Sequence, residues 1–538
     1  MNWTERAPGW LIGVVVAALM VAGLWLRLDR LEGIPLPTSD EAYYGIQTWR
    51  LLHGEPFEAR TTSGNLLSPL FVASQAPILA LTGPTVLALR LPAAIAGLAA
   101  VAVAFRLGRR MFGLEGGVIA SMAMLCMPAA VVFSRFGCEF SQTPLVGLIA
   151  AAIAWSGRAG WFWAWAGFAL LVHPTNILLL PLFWPLMIVR AAETRPGGWR
   201  AAVLTSIVGG LCILPAFGWW ISGNPNLDGY RDDPRAIGAF IDSFGRFVTY
   251  TDLTETDEET LSRHSWWFRI VAGALLGAGS AAMARRRRWD LLALVAGVLL
   301  GLVAFDLAAG ARVLNSVAMR YGAVLIAPTA LVAAALVSAL LPSGSTPRSR
   351  RLGRLSAAVL LASGGWAALG STAENGLRPY QDDWEARAST GLDRDPYSAT
   401  ARLIRRDLKR RGQPGAPTIV AQDQFVNGLQ HEYLMLGSAR VEPMFTLFEV
   451  WAMRQPSDGL APEVRARMDR VLDVLERGGY AVAVAGSPRD RGGGLIAEAI
   501  ADRFEPGRIR SWTLGDQQIF RLEPPPPPVA SRPSPPRR

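Results

Sequence analysis

The sequence is short of charge, of cysteine and of recognisable soluble-enzyme signatures. Of its 538 residues only 18% are Asp, Glu, Lys or Arg, where a soluble globular chain averages about 25%. The 3 cysteines, Cys126, Cys138 and Cys212, all precede the C-terminal part, and no pair has metal or framework spacing. Disulfide stapling is therefore excluded for that part. No P-loop, HExxH, GxSxG or paired CxxC occurs, which argues against ATP-driven transport, zincin proteolysis and serine-hydrolase chemistry. Lysine is scarce beside arginine and alanine, a composition that points to a high-GC bacterium.

What is present is apolar: 51% hydrophobic residues and a mean hydropathy of +0.26. Long apolar runs fill the first two thirds, and an ordinary mixture fills the rest. This asymmetry predicts one domain in lipid and one in water. The net charge of +10 raises nucleic acid as a partner, but the arginines stand in short clusters between apolar runs, as positive-inside anchors do. Nucleic-acid binding is set aside on that ground.

In lipid, backbone polar groups need internal partners, so the runs are expected to be helices. Spans are placed at Gly9–Leu28, Leu87–Leu107, Gly116–Phe133, Pro144–Ser156, Trp161–Val172, Ile177–Val189, Ala201–Ile221, Trp266–Ala284, Leu291–Ala309, Tyr321–Leu341 and Leu355–Gly370, about eleven in all. The two around Arg158 are short. Arg27, Asp29 and Arg30 follow the first run instead of a cleavage site, so it reads as an uncleaved anchor. With the N-terminus cytoplasmic, alternation puts Arg109–Arg110, Arg158, Arg190/Arg195/Arg200, Arg285–Arg288 and Arg348/Arg350/Arg351/Arg354 all inside. Outside fall a loop from Asp29 to about Val86, the turn Ser134–Thr143, the acidic loop Gly223–Ser265 and the whole C-terminal domain. Leu66–Leu81, interrupted by Pro69 and Pro77, reads as an interfacial or re-entrant helix.

The expected fold is a multi-pass α-helical membrane protein, divided as residues 1–370, an extracytoplasmic α/β domain at 371–523 and a proline-rich disordered tail at 524–538. In the α/β part, Thr418–Val420 and Tyr480–Ala485 read as strands. Ala461–Arg477 reads as an amphipathic helix stopped by Gly478–Gly479, and Trp512–Leu522 as a late strand or hairpin arm.

The candidate chemistry lies on the outer side. Thr38-Ser39-Asp40-Glu41-Ala42-Tyr43-Tyr44 follows the first span. Asp40 there can act as a general base or orient an acceptor. Thr38-x-x-Glu41 equally fits a capping box opening a helix, and the two readings are compatible. The outer turn Phe133–Gln142 carries Arg135 and a second carboxylate, Glu139. Met319-Arg320-Tyr321 places another guanidinium at an outer helix end, able to grip a phosphate in bidentate fashion. For Arg135 and Arg320 a lipid-headgroup contact is the competing reading; Arg90 is a similar candidate. His173 stands at a helix break, where a satisfied structural role competes with a role in the site. Asp306 lies near an outer helix end.

The order of these features resembles the GT-C fold glycosyltransferases that use polyprenyl-phosphate sugars, the protein O-mannosyltransferases and the aminoarabinose transferases among them. The resemblance rests on Asp40-Glu41-Ala42-Tyr43-Tyr44, Ala88-Leu89-Arg90-Leu91-Pro92, Leu107-Gly108-Arg109-Arg110-Met111-Phe112-Gly113, Phe133-Ser134-Arg135 and Arg320-Tyr321. It covers Gly9 to Pro185 well and the later spans loosely. It implies an inverting, mannosyltransferase-like transfer from a polyprenyl-phosphate-linked sugar to a lipid, polysaccharide or protein acceptor, at the outer face of a bacterial inner membrane. Asp40 would be base or acceptor-orienting carboxylate, with Glu41 supporting. Glu139 stands where the family more often has aspartate. Arg135, Arg90 and Arg320 would hold the donor phosphate, and Tyr43, Tyr44, His173 and Tyr321 would line the pocket. No cofactor is assigned, although the acidic residues are able to bind a divalent cation. Two other classes fit a multi-pass chain: a transporter or flippase, and a non-catalytic scaffold with a binding ectodomain. The first requires broken midplane helices or inverted repeats, which are not evident. The second requires that Asp40 and Glu139 be dispensable.

Overall fold

The structure, a computed structural model, describes residues 7–35, 37–61, 66–222, 258–309, 322–341, 396–411, 417–423, 429–446, 462–484, 492–514 and 517–524. The expected span Leu355–Gly370, residues 223–257 of the acidic loop, the arginines at 348–354, Arg320, Tyr321 and nearly all of the proline-rich tail lie outside the described residues. The chain divides into two compact units: Met1–Pro35 with Gln47–Asp382, and Leu36–Ile46 with Asp383–Arg538.

The first unit is helical. Its elements are α1 (Ala7–Leu28), α3 (Pro69–Thr82), α4 (Val86–Cys126), α5 (Pro128–Phe133), α6 (Thr143–Trp155), α7 (Ala159–Leu170), α8 (Leu179–Thr194), α9 (Gly198–Ser222), α10 (Glu258–Arg285), α11 (Trp289–Ala309) and α12 (Ile326–Leu340). Helix α2 (Ser39–Leu52) begins in the other unit. Among the described residues four stretches are long and apolar enough to cross a membrane: Val86–Cys126, Pro174–Thr194, Gly198–Pro215 and Gly322–Leu340. Helices α6 and α7 have 13 and 12 residues. At 1.5 Å per residue they fall short of a hydrocarbon core about 30 Å thick. Helix α3, at 14 residues, is short in the same way. It opens on Ser68, whose Oγ accepts the Phe71 N–H at 3.2 Å.

The span expected at Leu87–Leu107 and most of that at Gly116–Phe133 form one helical run, α4, broken at Gly113, where φ is +88°; Pro128–Phe133 is the separate helix α5. That positive φ suits glycine, because residues with a side chain rarely adopt it. The chain folds back on itself from this break. A Cβ at Gly108 would lie 2.8 Å from Gly116 O, and one at Gly137 would lie 2.6 Å from Leu89 O. Glycine at these contacts lets the backbone of α4 and the chain returning toward residue 137 touch. Farther on, the Trp163 and Trp184 indoles both donate to Ser206 Oγ, at 3.1 and 2.9 Å.

The second unit contains a five-stranded sheet in the order β2-β1-β3-β5-β4: β1 (Thr418–Asp423), β2 (Arg440–Thr446), β3 (Tyr480–Val484), β4 (Ile509–Leu514) and β5 (Gln517–Leu522). Strand β1 runs parallel to β2 and β3, and β5 is antiparallel to β3 and β4. Its helices are α13 (Pro396–Arg411), α14 (Leu429–Met435), α15 (Pro462–Glu476) and α16 (Gly492–Arg503). The amphipathic helix expected at Ala461–Arg477 is α15. Past its end, Gly478 takes φ +82° and Gly479 N–H donates to Val474 O at 2.9 Å, a C-terminal cap. Val471, Val474 and Leu475 of α15 and Ile496 and Ile500 of α16 bury their side chains with those of β3 and β5. Strand β2 was not expected. It contains Pro443, and it lies at the sheet edge, where a residue without an N–H is tolerated.

Candidate functional site

Asp40 sits in the first turn of α2, and the turn is built as a capping box. Thr38 Oγ1 accepts the Glu41 N–H at 3.3 Å, while Glu41 Oε2 accepts the Thr38 N–H at 2.8 Å. Glu41 is wholly buried and Asp40 is half-buried. The cap reading of Thr38 and Glu41 is thereby realised, and it fixes the turn that carries Asp40. Tyr43 and Tyr44 are both buried. Farther along the helix, Thr48 Oγ1 donates to Gln75 Oε1 at 3.1 Å, and Gln75 Nε2 donates to Leu89 O at 3.2 Å. This relay of buried polar groups joins α2, α3 and α4, and it was not anticipated, because single uncharged side chains carry no spacing signal.

Three arginines hold the end of α1 and the turn after it. Arg135 donates from Nε to Ile34 O at 3.0 Å, and from Nη2 to Ile34 O at 2.8 Å and Asp29 O at 2.6 Å; Nη1 donates to Leu26 O. Arg90 Nη1 donates to Leu31 O at 2.9 Å and Pro35 O at 2.6 Å. Arg27 reaches Leu125 O at 2.8 Å and Met124 O at 2.7 Å. All three side chains are at most 1% exposed. A helix end leaves its last carbonyls without partners, and a planar five-donor guanidinium is suited to collect several of them. Burial, together with the charge of Arg90, pulls the Arg135 pKa down to about 9, still high enough to keep it charged at neutral pH. Arg90 and Arg135 were expected at the donor phosphate; here their guanidinium groups grip the main chain between Leu26 and Pro35. Arg27 was missed. Its signal was its place: a charged residue inside the last turn of an apolar run is expensive in lipid without polar partners.

The structure brings Glu139 and His173 together. Each opens a 3-10 turn, Glu139–Gln142 and Pro174–Leu178, and His173 Nε2 lies 3.8 Å from Glu139 Oε1. His173 Nδ1 accepts the Thr175 N–H at 3.3 Å and lies 2.7 Å from Thr175 Oγ1. An accepting Nδ1 in the neutral ring leaves the proton on Nε2, facing the Glu139 carboxylate. His173 is 4% and Glu139 19% exposed. Cys138, next to Glu139, is buried and forms no disulfide. Among the described residues no group of three or more His, Cys, Asp or Glu could hold a metal ion.

This architecture has solved counterparts. The crystal structure of ArnT from Cupriavidus metallidurans bound to undecaprenyl phosphate matches 96% of this chain and 98% of its own, with a TM-score of 0.55 and 14% identity. The Archaeoglobus fulgidus oligosaccharyltransferase tethered with an acceptor peptide matches 96% of this chain and 74% of its own, with a TM-score of 0.47 and 14% identity. The same oligosaccharyltransferase in complex with Zn and sulfate matches 88% of this chain and 68% of its own, with a TM-score of 0.46 and 15% identity. No family model matches the chain, and no curated protein does. The ArnT likeness gives the chain a GT-C-type membrane fold, the class that the order of motifs resembled.

Proposed function

We propose that this protein is an inverting glycosyltransferase that moves a sugar from a polyprenyl-phosphate donor to an acceptor at the extracytoplasmic membrane face. The observation that carries the reading is the realised capping box at Thr38 and Glu41, which presents the Asp40 carboxylate on a fixed turn. The match to ArnT over nearly the whole chain supports the same class at the level of fold.

In this reading the acceptor hydroxyl attacks the anomeric carbon from the face opposite the phosphate. Asp40 takes the hydroxyl proton, the bond from the anomeric carbon to the phosphate oxygen breaks, and polyprenyl phosphate leaves with the electron pair. Charge grows on the phosphate as that bond breaks, so a cation beside it binds the transition state better than the ground state. Arg320 is the candidate for that cation. Arg90 and Arg135 serve instead as positioning residues that fix the main chain leading to Thr38. Glu139 and His173 form a carboxylate–imidazole pair able to bind sugar hydroxyls or hand on a proton. The steps use only these side chains. A lipid-linked donor accounts for a site at the membrane surface, since its prenyl chain remains in hydrocarbon while the sugar phosphate meets water.

The test is transfer from a panel of radiolabelled polyprenyl-phosphate monosaccharides by membranes containing wild type or Asp40→Asn. Loss of a general base lowers the rate by about 10²–10⁴, so transfer by wild type and its near-abolition in the variant is the expected outcome. Full activity in correctly inserted Asp40→Asn would sink the base assignment.

A further inference from the structure

Helices α6 and α8 run side by side in the same direction. Past the end of α6 a Cβ on Gly157 would lie 2.9 Å from Ala191 N of α8, and near the two starts a Cβ on Gly147 would lie 3.6 Å from Leu179 Cδ2. Glu139 and His173, which meet at 3.8 Å, stand just before these starts. Between those last two contacts lies one more level, and the spacing assigns it to Thr143 and Asn176. Thr143 precedes Gly147 by one helical turn, about 6 Å at 1.5 Å per residue. Asn176 precedes Leu179 by one 3-10 turn, about 6 Å at 2.0 Å per residue. Both steps keep the side chain on the same face. Thr143 and Asn176 are wholly buried. Asn176 Nδ2 donates to Ala169 O at 2.9 Å, which fixes the amide. Asn176 Oδ1 and Thr143 Oγ1, however, have no hydrogen-bond partner among the described residues, and Ser141 Oγ on the intervening turn is a third such atom. These are three of the five buried side-chain atoms of the first unit in that state, so they point to one local cause.

We propose that one internal water binds here, between the level of Thr143 and Asn176 and that of Glu139 and His173. The levels are about 6 Å apart, twice a hydrogen-bond length of about 3 Å, so a molecule midway reaches both. Donors and acceptors balance. The water accepts from the Thr143 hydroxyl and donates to Asn176 Oδ1 and to the Glu139 carboxylate, about three bonds, the usual number for a buried water. A divalent cation fits less well. It takes about six or more oxygen ligands, and the His173 Nε2–H turns its positive end toward Glu139. A sugar hydroxyl does not reach this level, because Thr143 and Asn176 have no exposed surface. The bound water ties the Glu139 carboxylate to the interior of the bundle and gives it a buried partner for a proton. The inference goes beyond the transferase reading and does not depend on it.

The experiment is thermal unfolding of the full-length protein in detergent, paired with a crystal structure at a resolution that shows ordered water. Thr143→Val keeps the shape of the side chain and removes the hydroxyl. With water bound, this variant should melt about 1–2 °C lower, and Thr143→Ser, which keeps the hydroxyl, should melt near wild type. With nothing bound, removing an unpaired buried hydroxyl stabilises the fold, so a melting temperature that is unchanged or raised in Thr143→Val overturns the proposal. Asn176→Leu also loses the bond to Ala169 O. The double variant Thr143→Val/Asn176→Leu should still lose less than the two single losses together, because one water serves both side chains; additive losses overturn the shared site. The crystal structure should show one ordered water within hydrogen-bond distance of Thr143 Oγ1, Asn176 Oδ1 and the Glu139 carboxylate. A side chain in that place overturns the proposal, and so does a metal ion whose removal by EDTA lowers the melting temperature. None of these readouts involves transfer, so the water site and the transferase reading fail separately.

Discussion

Glu41 separates a structural carboxylate from a chemical one, and replacing it by glutamine makes the separation measurable. Its side chain accepts the Thr38 N–H at 2.8 Å and has no exposed surface. Glutamine has the same reach and an amide oxygen in the same place, and it serves in capping boxes as glutamate does. What it lacks is charge. A hydrogen bond to a charged group contributes about 1.5–3 kcal/mol and a neutral one about 0.5–1.5, so Glu41→Gln should weaken the cap by about 1 kcal/mol. That changes the ratio of capped to uncapped turn about fivefold. Because the capped state starts in large excess, the transfer rate should fall by less than about threefold. Glu41→Ala leaves the Thr38 N–H without its acceptor, at about 1–3 kcal/mol, and should reduce transfer more. If Glu41 handled a proton instead, glutamine would remove about 10²–10⁴ of the rate. The assay is initial-rate transfer in membranes, normalised to inserted protein. A loss of a hundredfold or more in Glu41→Gln, with Thr38→Ser near wild type, would refute the capping argument.

Three further perturbations follow from the same geometry. Gly137→Ala pushes a Cβ to 2.6 Å from Leu89 O, a backbone atom that cannot yield easily; a loss of about 1–3 kcal/mol should appear as a lowered melting temperature in detergent. Glu139→Gln and His173→Gln should each slow transfer, and the double variant should be no worse than the worse single one if the pair acts as a unit. Additive losses would break that link. Tyr480 is pushed up to about 12 by burial and by its hydrogen bond to Asp407. The unfolded tyrosine ionises near 10, so the native state holds its proton longer. The associated stability is complete below pH 10 and is lost as pH rises toward 12, by up to about 3 kcal/mol. Limited proteolysis of the second unit across urea at pH 9 and pH 11.5 should show this drop in wild type and a smaller one in Tyr480→Phe.

The sequence was most legible where the physics is local. Thr38-x-x-Glu41 is a pattern four residues long, and both of its hydrogen bonds are present. Gly478–Gly479 stopped a helix for the same kind of reason. The α/β character of the second unit followed from short apolar runs alternating with amphipathic ones. What stayed hidden depends on partners far along the chain. Arg135 was expected at the donor phosphate, but the acceptors of its hydrogen bonds are carbonyls more than a hundred residues earlier, and a carbonyl has no side-chain identity to read. The pairing of Glu139 with His173 needs α6 and α7 to bring two helix breaks together, which no spacing reveals. Strand β2 was obscured by Pro443, whose meaning changes once the strand lies at an edge.

The arginines at the end of α1 also impose an order on synthesis. Arg27 leaves the ribosome about 100 residues before Met124 and Leu125, whose carbonyls it holds. At about 5–20 residues per second that is a wait of about 5–20 s, during which the first anchor carries a cation with no protein acceptor beyond its own helix. The turn through Pro35 waits about half as long for Arg90 and as long again for Arg135. A nascent chain halted near residue 120 therefore has Arg90 on the turn but neither the acceptors of Arg27 nor the guanidinium of Arg135. One halted after residue 140 has both. The clamp makes a finished turn between Leu26 and Pro35 a report that the helices up to Arg135 have folded back.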